Sequence, residues 1–217
     1  MQTFPPSADT WLRLVVLAAL LALVLGGAAV AGLIHSDWLD DTTLPPPQPV
    51  PFSHRHHAGA LGLDCRYCHT SVETSSEAGL PPTHICMTCH SQLFTGQEML
   101  APVRHSLASG IPIPWRRVAK LPGYVYFNHS IHVAKGVGCA DCHGRIDRMA
   151  ATFKAHAFKM QWCLGCHRDP GPHLRPLDKV TDMDWQPPPD QDQEGRRLVA
   201  ERHIEPHRIT DCYTCHR

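Results

Sequence analysis

The chain has 217 residues, with 20 Lys+Arg balanced by 20 Asp+Glu, and it carries 10 Cys and 17 His. Zero formal charge excludes the basic footprint of a nucleic-acid-binding domain, and 7% aromatic residues with more Pro (20) than Gly (15) make a poor basis for an ordinary protein-only core. Histidine nearly as abundant as all Lys and Arg together points to a chemistry that consumes imidazole and thiol.

The first predicted element is a membrane helix. Residues 14–34 contain no charged or strongly polar side chain, and at about 1.5 Å per residue such a run spans a hydrocarbon layer of about 30 Å. Arg13 precedes it, whereas Asp37, Asp40 and Asp41 follow and the next basic residue is Arg55. The positive-inside rule therefore leaves residues 1–13 as a short cytoplasmic tail and puts the remainder outside. Trp11 and Trp38 flank the run at interfacial depth. A cleaved signal peptide is the alternative, with Ala29-Val30-Ala31 as its small-residue site, but the run exceeds the roughly 7–15 residues of a signal core.

Residues 35–53 form a linker whose proline-rich part, 44–51, reads as a semi-rigid spacer or a plain surface loop. From 54 to 217 the chain is expected to form one extracytoplasmic domain, and it repeats. Phe52, His54, His57, Cys65, Cys68 and His69 recur as Phe127, His129, His132, Cys139, Cys142 and His143; Cys86, Cys89 and His90 recur as Cys163, Cys166 and His167. Two units, 52–90 and 127–167, are followed by a truncated third that ends in Cys212, Cys215 and His216, beyond a proline cluster at 187–189. Such self-similarity signals an array. Long amphipathic patterns are scarce outside the apolar run, so short helices joined by loops are predicted.

Every cysteine belongs to a Cys-x-x-Cys-His motif: Cys65, Cys68 and His69; Cys86, Cys89 and His90; Cys139, Cys142 and His143; Cys163, Cys166 and His167; Cys212, Cys215 and His216. This is the c-type haem attachment signature. Two thiols three positions apart reach the two vinyl groups of one porphyrin, and the adjacent imidazole reaches the iron. Zinc would need four ligands per metal, and five cysteine pairs do not divide into four-cysteine sites. Disulfides closing minimal loops would constrain little chain entropy. Five covalently bound haems would supply much of the missing apolar interior, and their propionates would make the neutral polypeptide acidic. Arg55, Arg66, Arg145, Arg148, Arg168 and Arg175 are near the motifs and could pair with propionates or form solvated surface.

The second axial ligand decides between chemistry and electron carriage. His54 and His57, like His129 and His132, are three residues apart, so on one helical turn each pair faces one side and suits two neighbouring irons. The fifth distal ligand is open among Met160, His173, Met183, His203 and His207; a thioether would raise that site's potential. If all five irons are six-coordinate, no position is left for substrate.

The runs 51–90, 101–103, 126–132, 136–145, 162–170 and 173–176 resemble the membrane-anchored pentahaem cytochrome c subunit of alternative complex III, over nearly the whole region after the apolar run. The resemblance implies a mainly α fold with much irregular structure: one N-terminal transmembrane helix plus a multihaem cytochrome c domain, class III cytochrome c-like, organised around five haems. It implies a non-catalytic electron-transfer subunit in the cytoplasmic membrane with its haem domain on the periplasmic side. Its partners would be an iron–sulfur subunit, polytopic quinol-binding subunits and a monohaem cytochrome, with electrons leaving to a soluble carrier or terminal oxidase. The family's histidine pairs fall on His54, His57, His129 and His132, and its methionine before the fourth motif on Met160. Two rivals are weighed beside it. A stand-alone membrane-anchored multihaem quinol dehydrogenase is compatible with one helix and five motifs. A multihaem reductase would need an open haem, and no Cys-x-x-Cys-Lys motif is present.

Overall fold

A computed structural model describes residues 5, 7–36, 39–40 and 42–216. The flanking residues Asp37, Trp38 and Asp41 lie outside the described residues. The chain divides into two compact units, Met1–Thr42 and Thr43–Arg217.

The first unit is built on one helix, α1 (Ala8–Ile34), which starts six residues ahead of the uncharged run and ends with it. It is long and apolar enough to cross a membrane, and its side chains are exposed along its length. Arg13 is paired with Asp9 one turn earlier, at 2.8 Å. The helix is compatible with a single-pass membrane anchor.

The second unit is helical and irregular. Its α-helices are short: α2 (Cys65–Cys68), α3 (Thr83–His90), α4 (Ala101–Ser109), α5 (His129–Ala134), α6 (Cys139–His143), α7 (Met160–Arg168), α8 (Gln191–Glu201), α9 (Pro206–Ile209) and α10 (Cys212–Cys215). An isolated antiparallel bridge joins Val137 and Leu174. Apolar burial is thin for the chain length. Val50, Leu100, Val103 and Ile113 make one small cluster, backed by Met87, Trp115 and the cysteine Cys86.

The proline-rich stretch is tied into this unit. Val50 is in the cluster, and Gln48 exchanges two hydrogen bonds with the backbone of Arg116: its Nε2 donates to the carbonyl at 2.8 Å and its Oε1 accepts from the N–H at 2.9 Å.

The longest helix of the unit, α8, is held by close backbone approach. A Cβ on Gly195 would fall on the carbonyl oxygen of Gly171, so only glycine lets the helix settle there. Buried Gln191 donates to the carbonyls of Gly171 and Leu174, at 3.0 and 2.8 Å. At the C-cap of the helix, Arg202 donates to the carbonyls of Lys135 and Arg175, at 2.9 and 3.0 Å. Backbone polar groups that irregular chain would leave unpaired are thereby satisfied by side chains.

Candidate functional site

All five Cys-x-x-Cys-His motifs are on or beside short helices. They occupy α2 with His69 at its C-cap, the last turns of α3, the whole of α6, the latter part of α7, and α10 with His216 at its C-cap. Helical spacing puts cysteines i and i+3 on one face. All ten thiols are free. Among the described residues no three His, Cys, Asp or Glu side chains converge into a metal cage.

The histidine pairs are built twice in the same way. Phe52 meets His54 edge-on at 4.9 Å and lies over His57 at 4.4 Å; Phe127 meets His129 edge-on at 4.8 Å and lies over His132 at 4.4 Å. His57 Nδ1 is 2.9 Å from the carbonyl of Ser53, and His132 Nδ1 is 2.7 Å from the carbonyl of Asn128, each four residues back. The second pair is on α5, capped by Asn128, whose side chain accepts from the N–H of Ser130 at 2.9 Å. The first opens a single π-type turn, Arg55–Ala60, with His54 as its cap.

The structure brings each pair to face motif histidines. Ring centroids are 6.2 Å apart for His57 and His90, 6.4 Å for His129 and His143, and 6.2 Å for His132 and His167. Those gaps are too wide for face-to-face contact. At a metal–imidazole bond of about 2 Å, two rings bound tip to tip through one metal stand with centroids roughly 6 Å apart. For His54, the first neighbour whose charge it feels is His69.

The ring nitrogens carry the same message. A carbonyl faces Nδ1 of His69 (Gly79, 2.7 Å), His90 (Leu93, 3.2 Å), His129 (Ser76, 2.8 Å), His167 (Ile209, 2.8 Å) and His216 (Tyr124, 3.1 Å), besides the two already described. His54 Nδ1 is paired with the hydroxyl of Thr152 at 2.7 Å. A carbonyl can only accept, so Nδ1 must hold the proton and Nε2 keeps its lone pair for a metal. Burial reinforces this. Burial, followed by neighbouring imidazoles, holds His54 and His143 down at about 4, and pushes His132 down as well. These rings are neutral at neutral pH, the state that ligates.

The five candidates for the remaining distal position are scattered. Met160 is 63% exposed and opens α7, one turn ahead of Cys163, whose thiol feels that of Cys215 in the fifth motif. His173 closes a one-turn helix and is half-buried, as is Met183. His203 is exposed in the left-handed backbone region, at φ 51°, and exposed His207 faces Glu205 at 3.8 Å. His156 packs on Trp162 at 5.1 Å.

Among the arginines, Arg66 is paired with Asp64 and Glu73, Arg145 with Asp147 and Asp184, and Arg148 with Asp184. Arg175 is buried beneath the third motif, bound to Asp141 at 2.6 Å and set over Trp185 at 4.4 Å. Its Nε is buried without a hydrogen-bond partner, a donor left for an acceptor. A Cβ on Gly138, the cap of α6, would fall on that guanidinium.

No family model matches the chain. Over 123 residues it is 33% identical to the protein named menaquinone reductase, multiheme cytochrome c subunit, of Nitratidesulfovibrio vulgaris strain Hildenborough, covering 56% of this chain and 52% of that protein. The chain thus spans about half the length of that relative.

Proposed function

We propose that the chain is a quinol-linked electron-transfer subunit carrying five c-type haems, anchored in the cytoplasmic membrane by α1. The observation that carries this reading is the set of motif histidines: His69, His90, His167 and His216 have Nδ1 committed to a backbone carbonyl, and a second imidazole faces His90 and His167 at 6.2 Å and His143 at 6.4 Å. A homologue named as a multiheme cytochrome c subunit supports it.

The residues fit the group. The ten cysteine thiols would tether it through thioethers; His69, His90, His143, His167 and His216 would ligate from one side. His54, His57, His129 and His132 would ligate from the other, and for the fifth motif the candidates are Met160, His173, Met183, His203 and His207, of which Met160 opens the helix whose Cys163 feels the thiol of Cys215. When bound, haem iron supplies one-electron chemistry whose potential follows its axial ligands. The chain's own part is positional: the Nδ1 carbonyls fix ring orientation, Phe52 and Phe127 hold both rings of each pair, and the free donor of Arg175 suits a carboxylate such as a propionate.

The finer assignment is to a quinol-oxidising complex of the alternative complex III kind, with an iron–sulfur subunit, polytopic quinol-binding subunits and a monohaem cytochrome as partners, and the haem domain on the periplasmic side. The domain limits proposed are 1–13, 14–34, 35–53 and 54–217. A second reading is favoured by the name of the relative, which denotes reduction of menaquinone: the complex would then run electrons toward quinone. Purifying the native complex tests both. A pyridine haemochrome assay should give five haems per chain, and fewer would overturn the count. Quinol should reduce the haems, and the first reading fails if only quinone reduction by a reduced donor is observed.

A further inference from the structure

We infer that the five attachment sites form one unbranched line in the order second, first, third, fourth, fifth, so that the second and fifth sites are its ends. The inference rests on reading the five motifs as haem sites. It goes beyond that reading because the order in space departs from the order in the chain.

Each joint of the line is a direct contact. The second and first motifs meet through their intervening residues, where the hydroxyls of Tyr67 and Thr88 are hydrogen-bonded at 2.9 Å. They also share the turn that begins with His54 and His57, one ring for each site. The first and third motifs approach each other at their leading cysteines, the thiols of Cys65 and Cys139 being close enough to perturb one another. Around that contact, Arg55 N–H donates to the carbonyl of Met149 at 2.9 Å, and His129 N–H to that of Ser76 at 3.2 Å. His54 itself is held by Thr152, beyond the third motif. The third and fourth sites share α5, whose His129 faces His143 and whose His132 faces His167. The fourth and fifth meet where His167 Nδ1 binds the carbonyl of Ile209, at the end of α9 and three residues before Cys212.

Exposure agrees with the order. Cys89 of the second motif and Cys212 of the fifth are exposed, whereas the other eight motif cysteines are partly covered. Phe94, beside His90, is 61% exposed and Tyr213 is 85% exposed. After the first motif the chain runs out to one end of the line, then returns to lay the third motif against the first. A protein that exchanges electrons with this line meets it at the second or fifth site.

The test uses the full haem-loaded chain in detergent. Locating the five irons by crystallography or electron cryomicroscopy should place the first site between the second and the third. Potentiometric titration followed by EPR gives an independent readout. His57→Met should raise the midpoint potential of the second site and shift one other centre, the first. His129→Met, in the middle of the line, should raise the third site and shift two neighbours. A second site flanked by the first and third, or a His57→Met variant that shifts two neighbours, would overturn the order while leaving the haem reading intact. Fewer than five haems per chain would instead overturn the haem reading.

Discussion

A neutral imidazole is the smallest unit on which the site depends, and its hydrogen bond is what keeps it useful. With Nδ1 of His132 spent on the carbonyl of Asn128, Nε2 is left as the ligating atom. On the proposed haem reading, His132→Ala in the loaded protein should therefore convert one iron from low-spin to high-spin, read by EPR, with His167 still in place. Gly138 is limited by space rather than by ligation. Gly138→Ala drives a methyl group into the buried guanidinium of Arg175 and should cost about 1–3 kcal/mol in chemical denaturation, the usual range for overpacking. Acid stability is set by carboxylates rather than by the candidate ligand histidines. Arg66 holds Asp64 down at about 2, below its usual 3.8, and Arg145 pushes Asp147 in the same direction. Depressed carboxylates stabilise the fold above their unfolded pKa and lose that contribution as pH falls through the folded one. For Asp64 the loss should fall between 3.8 and about 2. Asp147→Asn should flatten the acid limb of a pH–stability curve without changing its neutral plateau shape.

At the scale of elements, two of the short helices, α2 and α5, are pinned at their N-termini by side-chain caps, Asp64 and Asn128. Asn128 accepts from both the N–H and the hydroxyl of Ser130, at 2.9 and 2.7 Å, and so starts α5. Asn128→Ala should cost about 0.5–2 kcal/mol, the value of a lost N-cap. Because α5 presents both His129 and His132, the same substitution should broaden the EPR signals of two sites together. The motifs, their duplication and the preference for short helices were legible in the sequence, because ligand spacing is written in residue types. The carbonyls that orient the rings were not, since every residue has one and only the backbone path brings Gly79 or Ile209 to its histidine. Thr152 was equally silent: it lies ninety-eight positions from His54, with no pattern linking them. The distal ligand of the fifth motif stayed open because the truncated unit has no Phe-x-His-x-x-His of its own.

For the whole molecule, the thin apolar cluster around Val50, Leu100, Val103 and Ile113 sets the terms of stability. Protein with unloaded motifs should be cleaved rapidly by protease under conditions in which the loaded form survives, because cofactor binding supplies the missing interior. Removal of residues 1–34 should leave a loaded protein in the soluble fraction, with an unchanged visible spectrum. The repeated units also have a property visible only at this scale. The first pair faces the sites of its own unit, and His129 and His132 face His143 and His167, again within one unit. Each stretch of chain from its phenylalanine to its last motif histidine thus contains both rings of these facing pairs, while part of their orientation comes from the other stretch, Thr152 holding His54 and the carbonyl of Ser76 holding His129. Duplicating such a segment copies facing rings together but leaves their orientation to a neighbouring copy, whereas the cut-short third unit carries its Cys-x-x-Cys-His motif without a Phe-x-His-x-x-His ahead of it.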